Sequence, residues 1–200
     1  MLGRQGTAES RRRTVTRSDP REEARLLDRV AKGELRAFEE LYRLYHPRLS
    51  RFLFSVIRRP HLVEEALNDT MLAVWTRPES YSGASKPSTW IFAIAYRKAL
   101  RALRGQDEPQ EDKLAERRPS PEPGPDRQLD RREAQAALLR AIGELSADHR
   151  AVVDLCYFHE IGYREIAEIM ECPVDTVKTR MFHARRHLKA KLSGELADWL

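Results

Sequence analysis

Between Gly105 and Asp130 the chain carries five prolines, many charged side chains and hardly a large apolar one. Such a stretch cannot bury enough surface to offset the entropy of ordering it, so it reads as a flexible linker. It divides the 200 residues into two parts, each long enough for only a small core. On both sides of it the apolar residues recur at three- and four-residue spacing, and nowhere is the two-residue alternation of a strand sustained. The fold class that follows is all-α: two small helical domains joined by a flexible linker.

The boundaries can be placed from composition. Residues 1–20 hold five arginines against two acids and read as a disordered basic arm. A first domain spans 21–104, the linker 105–130, a second domain 131–192, and residues 193–200 form a C-terminal tail ending in Trp199 and Leu200. In the first domain Phe38, Leu41, Tyr42, Tyr45, Leu49, Phe52, Leu53 and Val56 share a helical stripe. Pro47 is best placed at the start of a helix, where its missing donor costs least. A helix from about His61 puts Val63, Ala66, Leu67, Thr70, Met71 and Val74 on one face, and ends near Trp75. A loop follows to Pro87, after which Ser88 can cap a long helix carrying Ile91, Ala95 and Leu103. In the second domain Leu138, Leu139, Ile142 and Leu145 precede a Ser146 cap, and Val152, Val153 and Cys156 follow it.

Several functional classes are set aside by composition. No apolar run approaches the roughly 18 residues of a membrane span, so a protein without a span, in the cytoplasm, is expected. Cys156 and Cys172 are too few for a disulfide framework. His183 and His187 lie four apart and Cys156 precedes His159 by three, both metal-capable spacings, but neither pair has a third ligand nearby in sequence. There is no glycine-rich phosphate loop and no nucleophile elbow, so neither a cofactor nor an enzymatic activity is expected. The formal net charge of +5 favours an anionic partner without naming it.

Charge distribution is more informative. Tyr163 to Met170, a turn at Glu171, Cys172 and Pro173, and a long helix from Val174 have the spacing of a helix-turn-helix, with Ala167 small enough for two helices to cross closely. From Val174 to Leu192 six lysines and arginines stand against the single acid Asp175. A cationic helix braced by a partner helix suits a major groove. Lys178, Thr179, Phe182 and His183 then point toward base edges, while Arg180, Arg185, Arg186 and the preceding Arg164 meet phosphate, with Thr176 beside them. Asp175 either stabilises the helix start or accepts from a cytosine amino group. In the first domain Glu64, Glu65 and Asp69 make one helix acidic, whereas Lys86 to Arg104 contains five basic residues and no acid. The first surface suits a basic protein partner. The second interleaves Tyr81, Trp90, Phe92 and Tyr96 with Lys86, Arg97, Lys98 and Arg101, a mixture fitted to single strands, although Trp90 and Phe92 are equally read as core.

The stretch VEEALNDTMLAVW (Val63 to Trp75), followed by STWIFAIAYRKAL (Ser88 to Leu100), resembles region 2 of bacterial RNA polymerase sigma factors. GYREIAEIMECPVDTVKTRMFHARRHLKAKL (Gly162 to Leu192) resembles their region 4, and the pair with only a linker between is the architecture of the extracytoplasmic-function (ECF) group. The resemblance implies a promoter-specificity subunit without catalysis of its own. Its partners would be core RNA polymerase, through the clamp helices of the largest subunit and the flap of the second, promoter DNA, and an anti-sigma factor as a candidate. By position it implies core binding at Glu64, Glu65, Asn68, Asp69 and Met71. It places Tyr81 to Ser88 at the loop that captures a flipped base of the minus 10 element, with Ser85, Lys86, Tyr96, Arg97, Lys98 and Arg101 on that DNA. It assigns the minus 35 element to Arg164, Thr176, Lys178, Thr179, Arg180, Phe182, His183, Arg185 and Arg186. The alternative is a freestanding helix-turn-helix regulator with a helical interaction domain, which would bind a symmetric operator without polymerase.

Overall fold

The computed structural model describes residues 19–105 and 127–192. The basic arm, most of the linker and the C-terminal tail lie outside the described residues. Eight α-helices and one short 3-10 turn make up the described residues: α1 (Pro20–Ala31), α2 (Leu35–Ile57), α3 (Pro60–Thr76), the turn Pro78–Ser80, α4 (Pro87–Arg104), α5 (Arg127–Gly143), α6 (Ala147–Tyr157), α7 (Tyr163–Ile169) and α8 (Val174–Lys191). Helix α5 therefore begins inside the segment read as linker.

Local signals explain most boundaries. Asp19 accepts from the Arg21 amide at 2.9 Å, with Pro20 in the first turn and Glu22 and Glu23 behind it. Proline again opens α3 and α4. Lys86, not Ser88, is the N-cap of α4, because Pro87 at the first helical position already fixes the helical φ and needs no donor. Ser146 does cap α6, its hydroxyl accepting from the His149 amide at 3.4 Å.

Pro47 departs from expectation. It lies inside α2, which runs without interruption from Leu35 to Ile57. Losing one helical hydrogen bond at Pro47 costs a few kcal/mol, but burial of a single Leu or Phe returns ~1.5–3 kcal/mol. Leu41, Tyr45, Leu49, Phe52, Leu53 and Val56 are all fully buried on the face that α2 presents to its neighbours. Tertiary packing outweighs the local defect. The buried acid Glu23 on α1 is satisfied on the same face, accepting from Tyr45 Oη at 2.7 Å and from Arg48 at 3.3 Å. Burial, reinforced by the Glu23 charge, pushes the Tyr45 phenol well above its ordinary range, so it stays a donor.

Helices α1–α4 form the first module and α5–α8 the second, with α7 and α8 crossing as a helix-turn-helix over α6. The modules are not held apart. Helix α2 packs against α6 and α4 against α7, so the two helical modules joined by the linker also share a seam.

Candidate nucleic-acid interface

Helix α8 buries Val177, Met181, Ala184 and Leu188, at spacings of four, three and four, so the remaining faces are left to solvent. Phe182 is 61% exposed, an aromatic ring left on the solvent side of α8. Lys178, Thr179, His183 and Arg186 are exposed beside it, and the Phe182 and His183 rings meet edge to face at 5.5 Å. Asp175 sits in the first turn of α8 and accepts from Lys178 Nζ at 2.9 Å, which fits the helix-start role. The Thr179 hydroxyl is turned back on its own helix, donating to the Asp175 carbonyl at 2.9 Å.

Two arginines of this set are engaged within the protein. Arg185 donates from Nε to Tyr157 Oη at 2.9 Å and is half-buried. Arg180 pairs with Asp148 and approaches the Cys172 thiol at 3.7 Å. Arg164, at the start of α7, is exposed, and Thr176 is half-buried. Cys156 is half-buried too, and burial pushes its thiol up, away from reactive thiolate. Among the described residues no group of three His, Cys, Asp or Glu is placed to hold a metal ion.

On the first module, Glu64, Glu65 and Asn68 project from α3 into solvent, and Asp69 reaches Lys98 Nζ on α4 at 2.9 Å. Asp69, Glu65, Lys98 and Arg101 line a groove of about 430 Å³ along the α3–α4 seam. Met71 is 2% exposed, so it cannot meet a partner: it falls in phase with Leu67 and Val74, on the core side. The neighbouring Leu72 is 57% exposed and three and four residues on from Asp69 and Asn68. Sequence reasoning missed it, though helical phase on its own would have found an apolar residue amid acids.

The minus 10 candidates divide. Arg101 is exposed, Ser85 is half-buried and accepts at its carbonyl from Tyr81 Oη at 2.8 Å, and the Tyr81 ring packs at a tilt against Trp90, centroids 5.5 Å apart. Trp90 is half-buried and Phe92 fully buried, the latter edge-on to Phe52. Tyr96, Arg97 and Lys86 all contact the second module. Tyr96 is 4% exposed and donates to Asp148 Oδ1 at 2.7 Å. Burial and that hydrogen bond raise its phenol far above the ordinary value, fixing it as a donor. Arg97 pairs with Glu171 at 2.5 Å and Lys86 with Glu165 at 2.6 Å.

Comparison with known proteins now decides the family. A family model described as Sigma-70 region 2 matches residues 41–108, and one described as Sigma-70, region 4 matches residues 135–188. The chain belongs to the sigma-70 family. The ECF RNA polymerase sigma-E factor of Haemophilus influenzae is 28% identical over 177 residues, covering 84% of this chain and 93% of that protein. The RNA polymerase sigma-H factor of Pseudomonas aeruginosa is 27% identical over 187 residues, covering 88% and 97%. A solved structure of the sigma factor RpoE in complex with the anti-sigma factor NepR from Bartonella quintana has a TM-score of 0.60 at 24% identity, covering 80% of this chain and 99% of that one. CnrH in complex with the cytosolic domain of CnrY gives 0.60 at 21%, covering 84% and 96%. Both are likenesses of fold. With regions 2 and 4 and such relatives, this is an ECF-type sigma factor, and it directs RNA polymerase to promoters for transcription initiation. Members of this family are not enzymes. A freestanding regulator is displaced as an explanation because the first helical module is sigma region 2.

Proposed function

We propose that the α3 face carrying Glu64, Glu65, Asn68, Asp69 and Leu72 docks on the clamp helices of core polymerase. The Tyr81–Ser88 loop with Lys86, Tyr96, Arg97, Lys98 and Arg101 takes the opened strand of the minus 10 element. Helix α8 reads the minus 35 element through Lys178, Thr179, Phe182 and His183, with Arg164 and Arg186 on phosphates. The second module also meets the flap of the second-largest subunit, an anti-sigma factor is a further partner, and the site of action is the cytoplasm.

The observation that carries this reading is the exposed aromatic and cationic face of α8, set on a helix whose opposite face is locked into a helix-turn-helix core. An unpaired base gains stacking and hydrogen bonds that offset a few kcal/mol of unstacking, which is why region 2 needs both rings and cations. The reading is tested by run-off transcription with purified core polymerase over a promoter library. Defined start sites, each preceded by two recurring elements, are the expected result. Core-independent binding to a symmetric site would overturn it.

Phosphate contact is tested separately. Arg186 is exposed, whereas Arg185 is tied to Tyr157. Arg186→Ala is expected to weaken holoenzyme binding at all promoters alike and to lower the slope of log K against log salt by about one. Arg185→Ala should show a smaller change in slope and a lower melting temperature, because its first loss is internal. Equal slopes in Arg186→Ala and parent would remove Arg186 from the DNA contact.

A further inference from the structure

Helix α1 stands beside the loop that precedes α4, and its register is fixed from the core. Leu27 and Val30 are buried, and the Glu23 carboxylate is held by Tyr45 and Arg48 of α2. With those residues turned inward, Arg21, Ala24 and Asp28, at spacings of three and four, share another face of the helix. That face meets the loop. Arg21 and Ala24 line a cleft of about 480 Å³ together with Tyr81 and the residues from Gly83 to Pro87. The Tyr81 phenol is raised above its ordinary value by burial first, and then by the charges of Asp28 and Glu23 on α1. It therefore stays a donor, and holds the Ser85 carbonyl at 2.8 Å. Ser82 Oγ accepts from the Ala84 amide at 3.4 Å, and Gly83 between them has φ +76, which a residue without a side chain adopts at no steric cost. Arg21 is thus set against a loop that is already shaped.

Arg21 and Lys86 are the cations on this cleft, and Lys86 is paired with Glu165 at 2.6 Å. Arg21 is exposed and has no carboxylate partner among the described residues. Glu165 and Glu168 of α7 form the far wall, whereas α1 and the loop belong to the same module. The planar fork of a guanidinium matches two oxygens of one phosphate, and Ala24 beside it is small enough to let a strand approach. We propose that Arg21 is a further minus 10 contact, gripping the phosphate next to the nucleotide that the Tyr81–Ser88 loop takes from the opened strand. This rests on the reading of that loop as the one that captures the strand. Base identity is then read by the loop, while Arg21 adds affinity that is blind to sequence and fixes where the strand lies. Helix α1 becomes part of the promoter interface, although the cations of α4 are the ones that the sequence pattern brings forward.

The test uses holoenzyme assembled from the full chain and purified core polymerase. Its probe is a forked DNA bearing the minus 10 region of a promoter mapped by run-off, with the non-template strand unpaired there. Arg21→Ala should bind this DNA roughly three- to tenfold more weakly than the parent and lower the slope of log K against log salt by about 0.7, the single-strand value for one phosphate. Arg21→Lys keeps the charge and should keep the parent's slope. Lys32→Ala removes an exposed cation at the other end of α1, about 17 Å away, and should stay within about twofold of the parent. Uncharged methylphosphonate linkages are then placed in the unpaired strand one position at a time. In the parent one linkage should cost roughly three- to tenfold, and in Arg21→Ala the same linkage should cost less than about twofold, a coupling that general loss of structure does not produce. Single abasic sites along the strand test the loop itself, and a loss concentrated at one base supports capture. If it is so concentrated and Arg21→Ala matches Lys32→Ala in affinity and slope, Arg21 is removed from the DNA contact while capture stands. If no abasic site matters more than its neighbours, the capture reading falls and the assignment of Arg21 falls with it.

Discussion

Replacing Arg150 by alanine should separate the two modules and lower the unfolding free energy by about 2 to 3 kcal/mol, the scale of a charged hydrogen-bond donor removed from partners that water only partly replaces. The guanidinium of this α6 residue reaches across the module boundary to the last turn of α2. Nε donates to the Ser55 carbonyl at 2.7 Å and Nη2 to the Val56 carbonyl at 2.9 Å. Nη1 donates to the Leu145 carbonyl in its own module. The C-terminal carbonyls of a helix have no partners within it and carry its negative dipole end, so a cation there is favourable twice over. Arg58 completes the seam from the other side, donating to the Gly143 carbonyl at 2.7 Å. A Cβ at position 143 would lie 2.9 Å from that guanidinium, so a larger residue there would require the Arg58 side chain to shift. Thermal unfolding should show a fall of roughly 5 to 10 °C in Arg150→Ala. Energy transfer between dyes placed at Arg43→Cys on α2 and Lys189→Cys on α8, both exposed, should drop, and Arg150→Lys should lie between, since an ammonium cannot reproduce the fork. A variant that melts and transfers energy like the parent would mean that the seam contributes nothing in solution.

That seam shows where sequence reasoning stops. Helical periodicity located the elements because each buries a stripe whose spacing is local, and the Asp19, Ser146 and proline start signals are local too. Pro47 misled for the same reason: its cost is local, while the burial of Tyr45, Leu49 and Phe52 that overrides it is tertiary. Met71 and Leu72 are adjacent in sequence and opposite in fate, a difference of 100° in helical phase: periodicity already set Met71 beside Leu67 and Val74, whereas the resemblance by position had put it on the partner-binding face. Tyr96, Arg97 and Lys86 were recognisable as a surface able to bind an anion. Nothing in their neighbourhood said that the anions would be the protein's own carboxylates on α6, on α7 and in the turn after it. Their partners Asp148, Glu171 and Glu165 lie 52 to 79 residues away along the chain. Charge complementarity between such distant segments is a property of docking, to which pattern and propensity are blind.

The second large effect is expected at Asp69. Its carboxylate accepts from Lys98 Nζ at 2.9 Å on the α3–α4 seam, with Arg101 in the same groove and Leu72 exposed one turn on. Asp69→Lys would place an ammonium against Lys98 and Arg101 and reverse the charge at this position of the face proposed to hold polymerase. A close like-charge contact at an interface costs several kcal/mol, so affinity for core should fall roughly a hundredfold or more and transcription should cease. The side chain is half exposed, so the fold should persist, and far-UV circular dichroism should match the parent. Two further substitutions separate the roles of the pair. Asp69→Asn keeps the shape and removes the charge, and should lose core affinity by a smaller factor. Lys98→Ala leaves the acid in place, so it should co-purify with polymerase yet initiate poorly, because the cation is assigned to DNA. Asp69→Lys that still co-purifies with core polymerase at parental yield would refute the placement of the clamp contact on α3. Lys98→Ala that loses core binding as fully as Asp69→Lys would instead make the ion pair, rather than the acid alone, the feature polymerase recognises.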